Sequence, residues 1–190
     1  MPSLAVSEMI LIIAVVILGF VLLGFTTAYL LPQITFVNAE NQASNLARSS
    51  TLSIGPLLIN QTTNVGTTIL VYNNPSVKGY VYIIAFPEPS YLQSSIGILT
   101  PSSSSISSFT VYLPNGTQAK QVTINEVYDI GGQILYDSSN QPLIAYEVPF
   151  NTPVTIKVNG VSSNDILVIW VLYNSGFWFR IGFSFTGVPS

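Results

Sequence analysis

Carboxylates are the side chains of this sequence best suited to chemistry, and they are few. The 190 residues include eight Asp and Glu, five Lys and Arg, and neither His nor Cys. Ser-His-Asp triads, cysteine nucleophiles, disulfides and Cys/His zinc sites all need residues that are missing here. Glu126 and Asp129 are three apart, so in a strand they face opposite sides and make a poor acid/base pair. We therefore predict no catalytic residue and no enzyme.

Metal and cofactor binding have equally little support in the sequence. A calcium site built from Asp129, Asp137 and loop carbonyls is an alternative, because hard cations take oxygen ligands. The spacing matches no EF-hand loop, and solvated surface charge is the simpler interpretation. We predict no metal and no cofactor.

Charge is scarce along the whole chain. Only 7% of the residues are charged, against about 25% in ordinary globular domains. Five basic residues and a net charge of −3 argue against a nucleic-acid surface. Because 48% of the residues are hydrophobic, the chain can bury a core, which argues against disorder.

The N-terminal third reads as a membrane-length helix. Met9 to Leu31 are 23 residues without a charge, and about 1.5 Å per residue lets them cross a bilayer core about 30 Å thick. A buried helix of a soluble protein rarely runs so long, and a cleavable signal would need a basic start and a shorter apolar run. We predict a retained helix that is followed, after Pro32, by a break or kink.

Glu8 is the one charge at the start of this helix. It marks either the membrane boundary or a functional position, since a carboxylate beside an apolar span is costly when unpaired. Leu4-Ala5-Val6-Ser7-Glu8 places a Glu fifth in a segment that then runs apolar for more than twenty residues. This start resembles the archaeal type IV pilin-like superfamily, which includes adhesive pilins and archaellum accessory (stator) proteins. The resemblance covers about the first 35 residues.

The resemblance implies an assembly role for two residues. A leader would be clipped before Leu4, and Glu8 would pair with the new N-terminal amine of a neighbouring subunit. The leader here would be Met1-Pro2-Ser3, without the Lys or Arg that family leaders usually carry. An unclipped chain would be an anchored accessory protein, and a clipped chain would be a filament pilin.

From residue 57 onward the pattern changes to short strands separated by turns. We predict an N-terminal long hydrophobic α-helix followed by an all-β, immunoglobulin-like antiparallel β-sandwich. The domains would be the helix at 1–34, a helical or extended linker at 35–54 and an extracellular sandwich at 55–190. The predicted strands are Thr67–Tyr72, Tyr80–Phe86, Phe109–Leu113, Gln121–Val127, Gln133–Tyr136, Leu143–Val148, Val154–Val158, Asp165–Tyr173 and Phe177–Phe185.

The last strand alternates between large apolar residues and a mixed set. Phe177, Phe179, Ile181, Phe183 and Phe185 fall on one face, which we expect to line the core. The other face would then present Trp178 and Arg180, which we predict as candidate contacts for a partner. A long apolar strand of this kind is an association site unless it is covered.

Two sequons support an external location for the β domain. Asn60-Gln61-Thr62 and Asn115-Gly116-Thr117 make Asn60 and Asn115 candidate N-glycosylation sites. We expect the helix to insert in the membrane or pack in a filament core, with the sandwich at the cell surface. The expected function is structural, in a homo-oligomer or filament that contacts other filament subunits or a surface-layer protein. A membrane-anchored binding module and a structural protein of an archaeal virus remain alternatives.

Overall fold

The computed structural model describes residues 2–101, 109–138 and 141–187, with side chains from Val6 onward. The chain divides into two compact units, Met1–Ala39 and Glu40–Ser190. The first is helical, and the second contains the end of the helical run and all the strands. A long apolar helix followed by an all-β domain was predicted, and this is confirmed.

One helical run begins at Pro2 and ends at Ser49. Helix α1 (Pro2–Phe25) passes through a π-helical turn (Thr26–Leu30) into helix α2 (Leu31–Ser49). Pro32 was expected to end or kink the helix, but it is the second residue of α2. Its ring lacks an N–H and crowds the carbonyl four residues earlier, and the wider π turn just before it supplies room. The backbone N–H of Leu31 accordingly donates to the carbonyl of Thr26, five residues back.

The β domain contains two sheets. Five strands form one sheet in the order β1-β3-β10-β5, with β2 also beside β3, and seven form the other in the order β6-β9-β4-β11-β12-β7-β8. Neighbours are antiparallel except β7 and β12, which are parallel. The strands are β1 (Thr51–Ile54), β2 (Leu58–Asn60), β3 (Val65–Asn73), β4 (Tyr80–Pro89), β5 (Phe109–Tyr112), β6 (Lys120–Ile124), β7 (Glu126–Tyr128), β8 (Ile134–Asp137), β9 (Leu143–Pro149), β10 (Val154–Asn159), β11 (Asp165–Asn174) and β12 (Trp178–Thr186).

The two sheets face each other across an apolar core. Two tyrosines bridge it, because the Tyr72 hydroxyl donates to the Ile181 carbonyl at 3.5 Å and the Tyr146 hydroxyl to the Phe109 carbonyl at 3.0 Å. Strand β11 is buried from Ile166 to Leu172, as its unbroken apolar run predicts for a central strand. Each face of β11 must therefore be covered.

The outer face of the seven-stranded sheet carries a second apolar cluster. Gly182 faces Tyr72 of the opposite sheet, so the next residue, Phe183, points away from the core. Trp170 pairs with Phe183 across the strands and therefore points to the same outer side. Trp170 is fully buried there and packs edge-on against Phe86, with ring centroids 5.7 Å apart. The segment after β4 crosses this face, since the Gly97 carbonyl accepts a hydrogen bond from Arg180.

A bulge in β12 overturns the predicted alternation of the last strand. Val171 pairs with Gly182 and Leu172 with Arg180, which leaves Ile181 as an extra residue. An extra residue shifts the two-residue period, so Arg180 and Phe183 lie on the same face. The prediction that Phe183 faces the sandwich core is wrong for this reason, while Arg180 lies on the outer side.

Candidate functional site

The helix α1 exposes apolar side chains around its whole circumference. Its large residues from Val6 to Phe25 are 47% to 70% exposed, and none of them is buried. The helical run is the one helix, among the described residues, that is long and apolar enough to cross a membrane. A helix that is apolar on every side is stable only inside lipid or packed among other helices.

Glu8 lies on this exposed helix, beside Ser7, Leu11 and Ile12. Its carboxylate makes no ion pair with any described residue, which leaves it open to a group from outside the chain. Leu4 belongs to α1, but its side chain lies outside the described part of the structure. The assembly role of both residues stays a prediction.

Two threonines at the π turn have hydroxyl groups that are hydrogen-bonded within the helix. Thr26 and Thr27 donate their hydroxyls to the carbonyls of Leu22 and Leu23 at 2.8 and 2.9 Å. Such bonds satisfy hydroxyl groups inside an apolar helix and commonly bend it. The apolar surface of the helix is therefore not interrupted by unpaired polar groups at this point.

The end of α2 is fastened to the β domain. Ala43 and Leu46 are 0% and 8% exposed, while Asn45 and Arg48 on the other side of the helix are exposed. Small and apolar residues three apart on one helix face allow close packing. The last two turns of α2 are thus part of the β domain's own core.

Asn74 forms the centre of a polar network at this joint. It is 1% exposed, and its Nδ2 donates to the hydroxyls of Ser49 at 3.0 Å and Ser50 at 2.9 Å. Its Oδ1 accepts the Ser76 N–H at 3.1 Å. Its own backbone N–H donates to Asn151 Oδ1 at 2.7 Å, and Asn151 Nδ2 returns a bond to the Asn74 carbonyl at 2.9 Å.

This network closes the C-terminus of the helix. Ser50 donates its hydroxyl to the Leu46 carbonyl at 2.7 Å, and Ser49 donates to the Asn45 carbonyl at 2.9 Å. The last carbonyls of a helix need such partners because no intrahelical N–H reaches them. Both serines therefore satisfy the helix end and at the same time accept bonds from Asn74.

The sequence signalled this joint only in part. Asn73-Asn74-Pro75 predicts a turn, and the structure has a turn between β3 and β4. Nothing in the sequence pairs Asn74 with serines 24 and 25 positions earlier. The network was therefore missed.

Arg180 lies inside the fold rather than on a free surface. It is 8% exposed, and its guanidinium is 5.0 Å from the Trp170 ring centre and 4.6 Å from that of Phe183. Its Nη2 donates to the Gly97 carbonyl at 2.9 Å, while its Nη1 has no partner among the described residues. Burial lowers the pKa of this guanidinium, and the Asp129 carboxylate counteracts the shift. The expectation that Arg180 is presented to a partner is corrected by this burial.

Trp178 keeps a partly exposed position on the same outer face. It packs edge-on against Tyr82, with ring centroids 4.7 Å apart. Burial, and then the Glu147 carboxylate, raises the pKa of the Tyr82 hydroxyl. A partner contact at Trp178 stays a prediction.

The acidic loop considered for calcium has a structural use. Asp129 Oδ1 accepts the N–H groups of Gly131 and Gln133, both at 2.8 Å, and so closes the turn between β7 and β8. No group of three His, Cys, Asp or Glu in residues 2–101, 109–138 and 141–187 is arranged to hold a metal ion. The described carboxylates thus provide no metal cage.

Both sequon asparagines are exposed and lie at turns. Asn60 ends β2, and Asn115 lies in the turn that follows β5. Burial therefore hinders modification at neither position.

Comparisons with known proteins give no family. No protein-family model and no curated protein matches the chain. Among solved structures, the chain is similar to a conjugative transposon lipoprotein from Bacteroides eggerthii, with 7% identity and a TM-score of 0.31 over 74% of this chain and 98% of that one. So distant a likeness carries no argument about function.

Proposed function

We propose that this chain is a non-enzymatic structural subunit of a cell-surface filament system, anchored or assembled through its N-terminal helix. Its β-sandwich faces the outside of the cell. The segment from Leu4 to Glu8 resembles the start of proteins in the archaeal pilin-like superfamily. This resemblance supports either a pilin or an archaellum accessory protein.

The observation that carries the proposal is the exposed apolar surface of α1. More than four turns of helix present Val, Ile, Leu and Phe to the surroundings on every side. Burying one such side chain fully contributes about 1.5–3 kcal/mol, so the helix is strongly driven into lipid or against other helices. Both a membrane anchor and a filament core meet this requirement.

The joint at Asn74 fits the same role. A subunit that bears load needs a firm connection where the end of its helical run enters the β domain, and a satisfied polar network is more rigid than a loose linker. The Ser49, Ser50 and Asn151 contacts of Asn74 provide such a connection.

Electron microscopy of cell-surface preparations tests the filament role. We expect full-length protein to form or join filaments, and we expect Glu8→Ala to abolish them because a neighbour's amine loses its partner. Glu40→Ala is the matched control, since it removes the other carboxylate of the same helical run. Filaments that persist in Glu8→Ala, or that vanish equally in both variants, would contradict the assigned role of Glu8.

N-terminal sequencing of native material separates the two forms of the proposal. A start at Leu4 indicates a processed pilin, and a start at Met1 or Pro2 indicates an anchored accessory protein. An unprocessed chain that stays in the membrane and joins no filament would instead favour the solitary, membrane-anchored binding module.

A further inference from the structure

The turn between β5 and β6 holds Asn115 in a defined geometry. The Leu113 N–H donates to the Thr117 carbonyl at 2.8 Å, and the Gly116 N–H donates to the Leu113 carbonyl at 2.9 Å. The Asn115 side chain folds over this turn. Its Oδ1 accepts the Thr117 N–H at 3.0 Å and the Thr117 hydroxyl at 2.7 Å.

These two bonds have a chemical consequence for the amide. A carboxamide nitrogen is a poor nucleophile because its lone pair is delocalised into the carbonyl. When Nδ2 gives up a proton, negative charge builds on Oδ1, and donors already placed at that oxygen stabilise it. Thr117 supplies two such donors before any enzyme binds.

The surroundings of Asn115 leave room for a large substituent. Residues 114–118 are all exposed. Gly116 has φ of +80°, and a Cβ built on it would meet nothing within 4 Å. The turn therefore projects into open space, and its backbone conformation favours glycine between the Asn and the Thr.

Asn60, the other sequon, lacks part of this arrangement. Its Oδ1 accepts the Thr62 N–H at 3.0 Å, but within the described residues the Thr62 hydroxyl donates no bond to it. Asn60 also lines an open groove of about 620 Å³ with Leu58, Thr67 and Lys157. The two sequons match in sequence pattern and differ in geometry.

We propose that Asn115 is the preferred N-glycan attachment site of this chain and that Asn60 is at most a minor one. The donor would be a sugar carried on a polyprenyl phosphate or diphosphate, used by a membrane-bound transferase. Asn115 Nδ2 forms a bond to the anomeric carbon, the bond from that carbon to the phosphate oxygen breaks, and the phosphate leaves with the electron pair. The Nδ2 proton passes to a base of the transferase. The inference rests on the part of the proposed function that places the β domain outside the cell.

Tryptic mapping of full-length protein from its native cells tests this. Cleavage after Arg48, Lys78 and Lys120 puts Asn60 in residues 49–78 and Asn115 in residues 79–120. We expect a glycan mass on residues 79–120 that fragmentation localises to Asn115, and a much smaller modified fraction on residues 49–78. The Asn115→Gln and Thr117→Val variants should lose the glycan on residues 79–120, and Thr117→Ser should keep it.

A variant that preserves the sequon tests the geometry itself. Gly116→Val keeps Asn-x-Thr but disfavours the positive φ of the turn, so we expect a several-fold fall in the modified fraction at Asn115. Gln61→Val is the matched change at Asn60, and it should leave that site's fraction unchanged. Unaltered thermal unfolding of each variant shows that the domain still folds.

Three results would overturn the inference. They are a bare Asn115 in native material, a larger modified fraction at Asn60 than at Asn115, and equal modification of Gly116→Val and wild type. A bare Asn115 in protein that still lies in the membrane or filament fraction overturns the glycan site alone. A chain found among soluble intracellular proteins overturns the proposed function.

Discussion

Two buried polar side chains in this fold differ in how completely they are hydrogen-bonded. Asn74 has a partner for each of its side-chain hydrogen-bonding groups, whereas Arg180 keeps Nη1 without one among the described residues. A buried polar group that has all its hydrogen-bond partners stabilises the fold modestly. One that lacks a partner is destabilising, because its hydrogen bonds to water are lost without replacement. The two residues should therefore respond to substitution in opposite ways.

Replacement of Asn74 by alanine is expected to destabilise the β domain. Ser49, Ser50 and the Ser76 N–H would each lose a hydrogen-bond partner, whereas the bonds of Asn151 go to the Asn74 backbone and remain. We therefore expect a loss of about 2 kcal/mol and a fall of roughly 4–8 °C in Tm. Asn73→Ala is the control from the same turn. Thermal unfolding of detergent-solubilised protein, followed by fluorescence of Trp170 and Trp178, measures both. Equal Tm values for the two variants would argue against the network at the joint.

Arg180 is expected to tolerate methionine better than lysine. Methionine removes the buried charge and fills the space between Trp170 and Phe183, since replacing a buried charge by an apolar residue is often neutral. Lysine keeps the charge but loses the flat guanidinium that lies over both rings. The same fluorescence-detected unfolding should give a lower Tm for Arg180→Lys than for Arg180→Met. The reverse order would show that the charge itself stabilises the site.

At the scale of elements, the sequence predicts what is periodic and misses what depends on distant parts of the chain. The long apolar run of α1 and the strands with clear turn signals could be predicted. Strands β1 and β2 were missed because each is short and is defined by pairing with β3. Pro32 was misjudged because the π turn absorbs its steric conflict. The face of Phe183 was misjudged because no local signal marks the bulge at Ile181.

The β7–β8 hairpin is expected to be sensitive to alkali. Burial, then Glu126, and then Asp137 raise the pKa of Tyr128 to about 12. A pKa raised above the unfolded value of about 10 contributes stability below pH 10, and this is lost as pH rises to about 12. Tm measured from pH 8 to about 12 should fall less in Tyr128→Phe than in wild type. Tyr91→Phe, a substitution at an exposed tyrosine, should show the same decrease in Tm as wild type. Identical profiles of Tm against pH for wild type and both variants would contradict the role assigned to Tyr128.

The whole molecule avoids charge for two separate reasons. From Met9 to Ala39 charge is absent because an exposed apolar helix must meet lipid or other helices. In the β domain, neutral polar side chains cover the outside, and Lys120 with Glu147 is the one ion pair among the described residues, at 3.4 Å. Few titratable groups therefore contribute to the stability of this domain.

This scarcity predicts a fold that survives acid. Burial, and then the Asp165 carboxylate, raises the pKa of Glu88. A carboxyl with a raised folded pKa contributes stability that is complete below its unfolded pKa and is lost as pH rises through the folded one. Acid therefore strengthens this site, and five bases generate little self-repulsion. Circular dichroism should show a folded β domain at about pH 2, and a cooperative unfolding transition between about pH 5 and pH 2 would contradict this.

The partition of the full-length chain in native cells tests the central claim most directly. Cells are sheared to release surface filaments, and membranes are then floated through a density gradient in high salt, which removes proteins held by charge alone. Because α1 needs lipid or neighbouring helices, we expect the intact chain in the floated membranes or in the sheared filaments. Recovery of the chain as a soluble monomer, with residues 4–39 still present, would contradict the account.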